Sequence, residues 1–284
     1  MTTPQPIKVF NTHSEQLEKF KTRGLRIEDE SLALKTLTRI NYYRLTGYML
    51  SMKDGDKFYE DASFNKALRH YEFDTKLRRL LLKATEYIEI VLRSQLAYKF
   101  SEKYDGLGYK DSKNFYDEEK HQKFLVIIER KITESKELFV LHHKKTYDNQ
   151  LPLWVAIELF SMDMLSKFFK NMITADKKDL SNNYYGVNHS HLGNWLYCLT
   201  NIRNISAHYS RLYNKNFHFS VKLFNEVKLN SKKLVSVFYI LKKMLPPDEW
   251  RRFLDSFLVL TEEYGDVIEM HHMGFYDNWK EYIN

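Results

Sequence analysis

An all-α fold is predicted from three observations. Nine Gly and five Pro among 284 residues leave few places for tight turns, which favours long helices. A hydrophobic content of 43% is enough to bury a real core. The strongest apolar period is helical: Leu77, Leu81, Ala84, Ile88, Val91, Leu92 and Leu96 form one stripe at heptad-like spacing.

The elements follow in order. Ser14 can cap a helix running to about Phe20, Gly24 breaks it, and a second segment spans about Glu28 to Ile40. Ile40 to Tyr48 is dense in aromatics, with Tyr43 and Arg44 at its centre, and Asp54-Gly55 signals a turn before Lys57-Phe58-Tyr59. These tyrosines either pack between helices or offer base-stacking faces, and on the second reading Tyr43 and Arg44 are the candidate RNA contacts. The central long helix covers about 63–100. Within it Glu89 and Arg93, four residues apart in the favourable order, read as an intrahelical ion pair.

Residues 101–116 read as a loop, about Glu118 to Glu137 as a charged helix, and His142-His143 as a solvated turn without metal-ligand spacing. Pro152 then starts a helix whose buried side carries Trp154, Ile157, Met162, Leu165 and Phe169. Glu158 shares that side, and a carboxylate there needs a cation or several donors. Arg203 is the candidate. After a loop containing His189 and His191, a helix capped by Asn188 or Ser190 buries Leu192, Trp195, Leu196, Leu199 and Ile202. Val221 to Leu245 reads as an amphipathic helix with six lysines, Lys232 and Lys233 among them, against Glu226. That face is either solvated or a contact for phosphates. Pro246-Pro247 stops it, and Asp248 to Leu260 begins the last helix. His271 and His272 read as structural.

Charge and cysteine usage narrow the function. Lys and Arg number 44 against 37 Asp and Glu, a net +7 that suits a polyanionic partner without requiring one. One cysteine, Cys198, allows neither an internal disulfide nor a zinc site, which points to the cytoplasm. Neither a secretory leader nor a run of about 18 apolar residues is visible, so no membrane association is expected. There is no glycine-rich phosphate loop, no His-Glu-x-x-His and no Gly-x-Ser-x-Gly, and neither a cofactor nor a metal is expected.

The segment Asn201-Ile-Arg-Asn-Ile-Ser-Ala-His-Tyr-Ser-Arg211 sets an arginine, an amide and a histidine along one helix, the residue types that metal-free cleavage of RNA requires, although the same spacing also occurs by chance on solvated helices. At 100° per residue, with Arg203 at 0°, the apolar stripe centres near about −60°, Asn204 lies near about 100° and His208 near about 140°. Arg203 therefore flanks the buried face, while Asn204 and His208 point away from it. Asn204 is placed to orient the imidazole one turn on. Arg211, near about 80° if the helix persists, adds a second guanidinium. One straight helix does not easily aim both Arg203 and His208 at one phosphate, and a second copy across a two-fold axis would complete the cleft.

Arg203, Asn204 and His208 resemble the signature of HEPN domains, helical modules of defence and toxin ribonucleases. Four further blocks, Ile40–Tyr48, Phe73–Leu80 continuing to Ile88–Arg93, Leu151–Leu159 and Ala207–Asn214, resemble the abortive-infection Abi family of bacterial phage-resistance proteins, the AbiD/AbiF-like group. The resemblance spans about 10–245 and implies a HEPN-type helical bundle: an N-terminal helical and aromatic segment at 1–62, a HEPN-like core at 63–245 and a C-terminal helical extension at 246–284. It implies a metal-independent endoribonuclease toxin in which His208 is the general acid or base, Arg203 neutralises the phosphorane, Asn204 orients His208 and Glu158 holds Arg203. An RNA substrate, a small-RNA or protein antitoxin and a homodimer go with it. The competing expectation is a non-catalytic helical module that binds RNA or protein.

Overall fold

The computed structural model describes residue 7 and residues 9–283. The first six residues, read above for a leader, lie outside that range. Among the described residues, 68% of the chain is helical, with 13 α-helices and one two-stranded ribbon. None of these helices is long and apolar enough to cross a membrane.

Two buried clusters organise the chain. The smaller runs from Leu17 to Ala67 beneath α1 (His13–Thr22), α2 (Glu30–Leu37) and α3 (Tyr42–Thr46). Helix α1 is closed by a capping box of Thr12 and Glu15, two residues before the predicted cap, and α2 by the Asp29 carboxylate on the Leu32 N–H. The Asp54-Gly55 turn forms as a hairpin in which Lys53 pairs with Phe58 and Asp54 with Lys57, with Gly55 at φ +55° supplying the left-handed backbone. Tyr42 stacks on Phe20 and Tyr48 is buried, whereas Tyr43 is 67% exposed.

The larger cluster is built on α4 (Phe64–Tyr104), a 41-residue helix roughly 60 Å long. Ser63 caps it, and its buried residues include Phe73, Leu77, Leu81, Ala84, Ile88, Leu92 and Leu96, six of them from the predicted stripe. Helices α5 (Glu118–Glu134) and α6 (Leu138–Thr146) join the same cluster through Ile128 and Val140, the latter helix standing where a turn at His142-His143 was expected.

The predicted Pro152 helix is two helices. Helix α7 (Leu153–Ala156) runs into a 3₁₀ turn at Ile157–Leu159, Phe160 is extended, and Ser161 caps α8 (Met162–Asn171) through the Met164 N–H. Helix α9 (Thr174–Tyr185), absent from the sequence reading, ends at Gly186 with φ +60°. Helix α10 (His189–Ala207) is capped by Asn188, so His189 and His191 sit in its first turn rather than a loop. It packs against α4, α8 and α9.

The lysine-rich helix expected from Val221 begins only at α11 (Leu234–Met244). Residues 217–233 instead close on themselves, the Phe217 N–H donating to Lys232 O at 2.8 Å and the Val221 N–H to Ser231 O at 2.9 Å. Phe217, Phe219, Val221 and Val227 are buried there as anchors of a loop, and only the three-residue step from Val221 through Phe224 to Val227 imitated a helix. Helix α12 (Pro247–Glu263) and α13 (Trp279–Ile283) join the same core as α4.

One buried carboxylate ties these parts together. Asp74 of α4 is fully buried. Its Oδ1 accepts the backbone N–H groups of Leu212 at 2.9 Å and Tyr213 at 2.7 Å, and its Oδ2 accepts the Tyr48 hydroxyl at 2.7 Å and the Arg78 guanidinium. Burial pushes the Asp74 pKa up, opposed by Arg78 and these donors. Asp74→Ala strands the Arg78 charge and two backbone donors in the core. We expect it to lose about 3–5 kcal/mol in chemical denaturation, and a loss below about 1 kcal/mol would show that the clamp carries little of the fold.

Candidate functional site

The end of α10 is oriented by its buried stripe. Leu192, Trp195, Leu196, Leu199 and Ile202 are all fully buried, which fixes the rotation of the helix and leaves Asn204 and His208 exposed and Arg203 at the edge. His208 is the residue after the last helical turn, its N–H donating to Asn204 O at 2.9 Å. Tyr209 then adopts φ +59°, a left-handed conformation unusual for a tyrosine, and turns the chain out of the helix. The Arg44 guanidinium from α3 donates to the Tyr209 carbonyl at this turn. Thus the N-terminal module touches the motif through one of the two residues nominated there for RNA contact, and Tyr43 beside it is exposed.

Arg203 is held by a different carboxylate from the one expected. Its Nε lies 3.9 Å from Glu89 Oε2 on α4, and Glu89 Oε1 accepts Arg93 Nη2 at 2.6 Å, the predicted intrahelical pair. Arg93 also donates to Phe160 O at 2.8 Å and stands 3.7 Å from Glu158 Oε2. The result is a chain of alternating charge from α10 across α4 to the 3₁₀ turn. Glu158 is its outer member, with a side chain 52% exposed, and it does not reach Arg203. Trp154, predicted on the same buried side one turn earlier, is itself 55% exposed, so the side of α7 and its 3₁₀ turn that carries Trp154 and Glu158 faces outward rather than into the core.

Arg211 is likewise not beside His208 as a free cation. Because the helix stops, Arg211 turns back and donates to Tyr213 O at 2.7 Å and Asn214 O at 2.6 Å. It packs close over Gly47, and burial lowers its pKa against the pull of Asp74. No side-chain hydrogen bond joins Asn204 to His208 among the described residues, so the amide does not orient the ring in this conformation. Lys232 is exposed, while Lys233 donates to His272 O at 2.9 Å and its pKa is lowered by burial and by Arg211.

Two groupings escaped the sequence reading. His218 Nε2 lies 3.1 Å from Asn201 Oδ1, placing a second exposed imidazole beside α10 two turns before His208, and no spacing in the sequence signals it. Ligand atoms of Glu269, His271 and His272 lie within 4.8 Å of one another, the donor set of a possible metal site. His272 Nδ1 is already engaged by the Tyr213 hydroxyl at 3.0 Å, leaving Nε2 as its free donor.

With this geometry in place, residues 35–214 match the family described as Abi-like protein. The chain belongs to the Abi-like family. No curated protein and no solved structure matches it. The family segment of this Abi-like protein encloses Arg44, Asp74, Glu89, Glu158, Arg203 and His208 and stops at Asn214, the residue whose carbonyl receives Arg211. Lys232 and Lys233 fall outside it.

The charge chain makes a prediction that separates the two carboxylates. Glu89→Gln removes the charge shared by Arg93 and Arg203, with an expected loss of about 1–3 kcal/mol in thermal or chemical denaturation. Glu158→Gln is expected within about 0.5 kcal/mol of the parent. Equal effects would mean that the exposed Glu158 pair matters as much as the buried one.

Proposed function

We propose that this Abi-like protein acts in bacterial abortive-infection defence as a metal-independent, HEPN-type endoribonuclease toxin working in the cytoplasm. The observation that supports it best is the state of the polar groups around the end of α10. Glu89, Arg93, Arg44 and Arg211 are all engaged in structural bonds, whereas the Asn204 and His208 side chains are exposed and without a side-chain partner among the described residues, one turn apart on the helix that also carries Arg203, whose Nε lies 3.9 Å from Glu89.

Such an arrangement suits transesterification. A ribose 2′-hydroxyl attacks the adjacent phosphorus while an imidazole takes its proton, and the bond to the 5′-oxygen breaks as that oxygen gains a proton. The products are a 2′,3′-cyclic phosphate and a 5′-hydroxyl. His208 is the proton-transfer group, Arg203 offsets the charge growing on the phosphorane oxygens, and Asn204 binds the substrate or the ring. DNA lacks the nucleophile and is not cut. Because Arg203 leans on α4 and His208 projects from the helix end, a homodimer that joins two copies of α10 supplies each cleft with the missing partner. A small RNA or a protein antitoxin restrains the activity.

A second reading, a non-catalytic helical module that binds RNA or protein, is favoured by the missing hydrogen bond between Asn204 and His208. His208→Ala separates the two. On total cellular RNA the ribonuclease reading expects cleavage to fall by at least about 100-fold, the scale of general acid–base catalysis, with RNA binding retained. Wild-type activity should survive EDTA. Cleavage by His208→Ala at the parent rate, or activity that returns only with added metal, would sink it. For the shared cleft, native mass measurement is expected to give twice the chain mass, and a fully active monomer rules it out.

A further inference from the structure

A groove remote from the charge chain has lysines that the proposed chemistry does not use. Two cavities meet on the outer side of α8 and α9. One, of about 590 Å³, is floored by Phe115, Phe124 and Phe168 and bordered by Tyr116; the other, of about 520 Å³, lies against the first two turns of α10 and is bordered by Tyr197. Lys167, Lys170 and Lys177 line both, and so form the ridge between them.

The ridge is electropositive. Lys167 is paired with Asp163, but Lys170 and Lys177 have no carboxylate within ion-pair distance among the described residues; Lys177 donates to Lys170 O at 3.2 Å and lies 5.6 Å from the centre of the Tyr116 ring. The nearby acids are committed elsewhere, Asp117 to Lys120 and Asp176 to Lys103. Beyond the ridge the field stays positive: Lys177, Lys178 and Lys222 all act on His189, and Lys222 donates to Ser190 Oγ at 2.8 Å. Tyr116 and Tyr197 are 75% and 50% exposed on the two sides. Cations without carboxylate partners beside exposed tyrosines, Tyr197 on one side and Tyr116 under the Lys177 ammonium on the other, are a combination that holds single-stranded nucleic acid, phosphates on the ridge and bases on the rings.

The groove also has a direction. Tyr197, Asn201, Asn204 and His208 recur at three- and four-residue steps along the solvent side of α10, and His218 joins them at Asn201. From Tyr197 to His208 the rise is about 16 Å. We propose that Lys170 and Lys177 are phosphate contacts of a single-stranded RNA track that runs from the two cavities along the exposed face of α10 to His208. The position of the cut at the end of the track rests on the ribonuclease reading; strand binding at the ridge does not.

The test is binding of a single-stranded 2′-O-methyl RNA of about 12 nucleotides, within the span such grooves cover and without a nucleophile to be cleaved. With the full-length chain, K170A/K177A is expected to weaken binding at least about tenfold at low salt. The slope of log affinity against log salt is expected to fall by roughly 1.4, at about 0.7 per lost phosphate contact on a single strand. K145A, an exposed lysine on α6, serves as the control, and unchanged melting temperatures exclude misfolding. Unchanged affinity and slope would overturn the track, as would a loss confined to vesicles of anionic phospholipid with RNA binding intact. Because the probe cannot be cut, the outcome is independent of whether His208→Ala abolishes cleavage.

Discussion

The Asp74 carboxylate is the constraint on which the geometry of the motif depends. A buried carboxylate is tolerable only where donors surround it, and here the donors come from three separated parts of the chain: Tyr48 from the N-terminal module, Arg78 from α4 itself, and the amides of Leu212 and Tyr213 just past the motif. Those two amides have left the helix and would otherwise need water or another acceptor. By accepting both, Asp74 fixes where the chain goes after His208. The Arg44 bond to Tyr209 O acts on the same stretch from the other side. The imidazole is exposed, but its backbone is held by Asn204 O before it and by Asp74 shortly after it.

Much of this fold is legible in the sequence because burial and helical period coincide. The α4 stripe is the clearest case, since Leu77 through Leu96 face one continuous core. The failures have physical causes. Helix α9 buries only Leu180 and Ser181, so it has no apolar stripe to read. The split between α7 and α8 was hidden because apolar residues on both sides of Phe160 enter the same core and keep an apparent period across the break. The loop at 217–233 misled in the opposite sense, since Val221, Phe224 and Val227 keep a three-residue step while packing as parts of an irregular loop.

The site was legible to the same extent and for the same reason. The exposure of Asn204 and His208 and the edge position of Arg203 follow from the α10 stripe alone. Two supporting residues failed: Glu158 because the side that it shares with the exposed Trp154 faces outward, and Arg211 because the helix stops at the turn at Tyr209, a residue type that rarely marks a left-handed position. Glu89 was visible as the partner of Arg93 by its spacing. Its second oxygen reaches Arg203 only because α4 and α10 pack together, and a local pattern does not contain that contact.

The distribution of charge ties the motif to the rest of the surface. Near the end of α10 most cations are consumed by structure, Arg93 by Glu89 and Phe160 O, Arg44 by Tyr209 O, and Arg211 by two carbonyls, which leaves Arg203 and the half-buried Lys215 to meet a polyanion there. Two cations without a carboxylate partner among the described residues, Lys170 and Lys177, border the cavity at the other end of the same helix. A 19-residue helix spans about 28 Å, more than one or two nucleotides can bridge. Under the ribonuclease proposal, affinity and chemistry are therefore separated along α10, and an RNA must be long enough to lie on the lysine ridge while presenting a phosphodiester to His208. Length and single-strandedness then select the substrate before any base is read, as expected for a surface that grips through phosphates and stacking rather than through base edges.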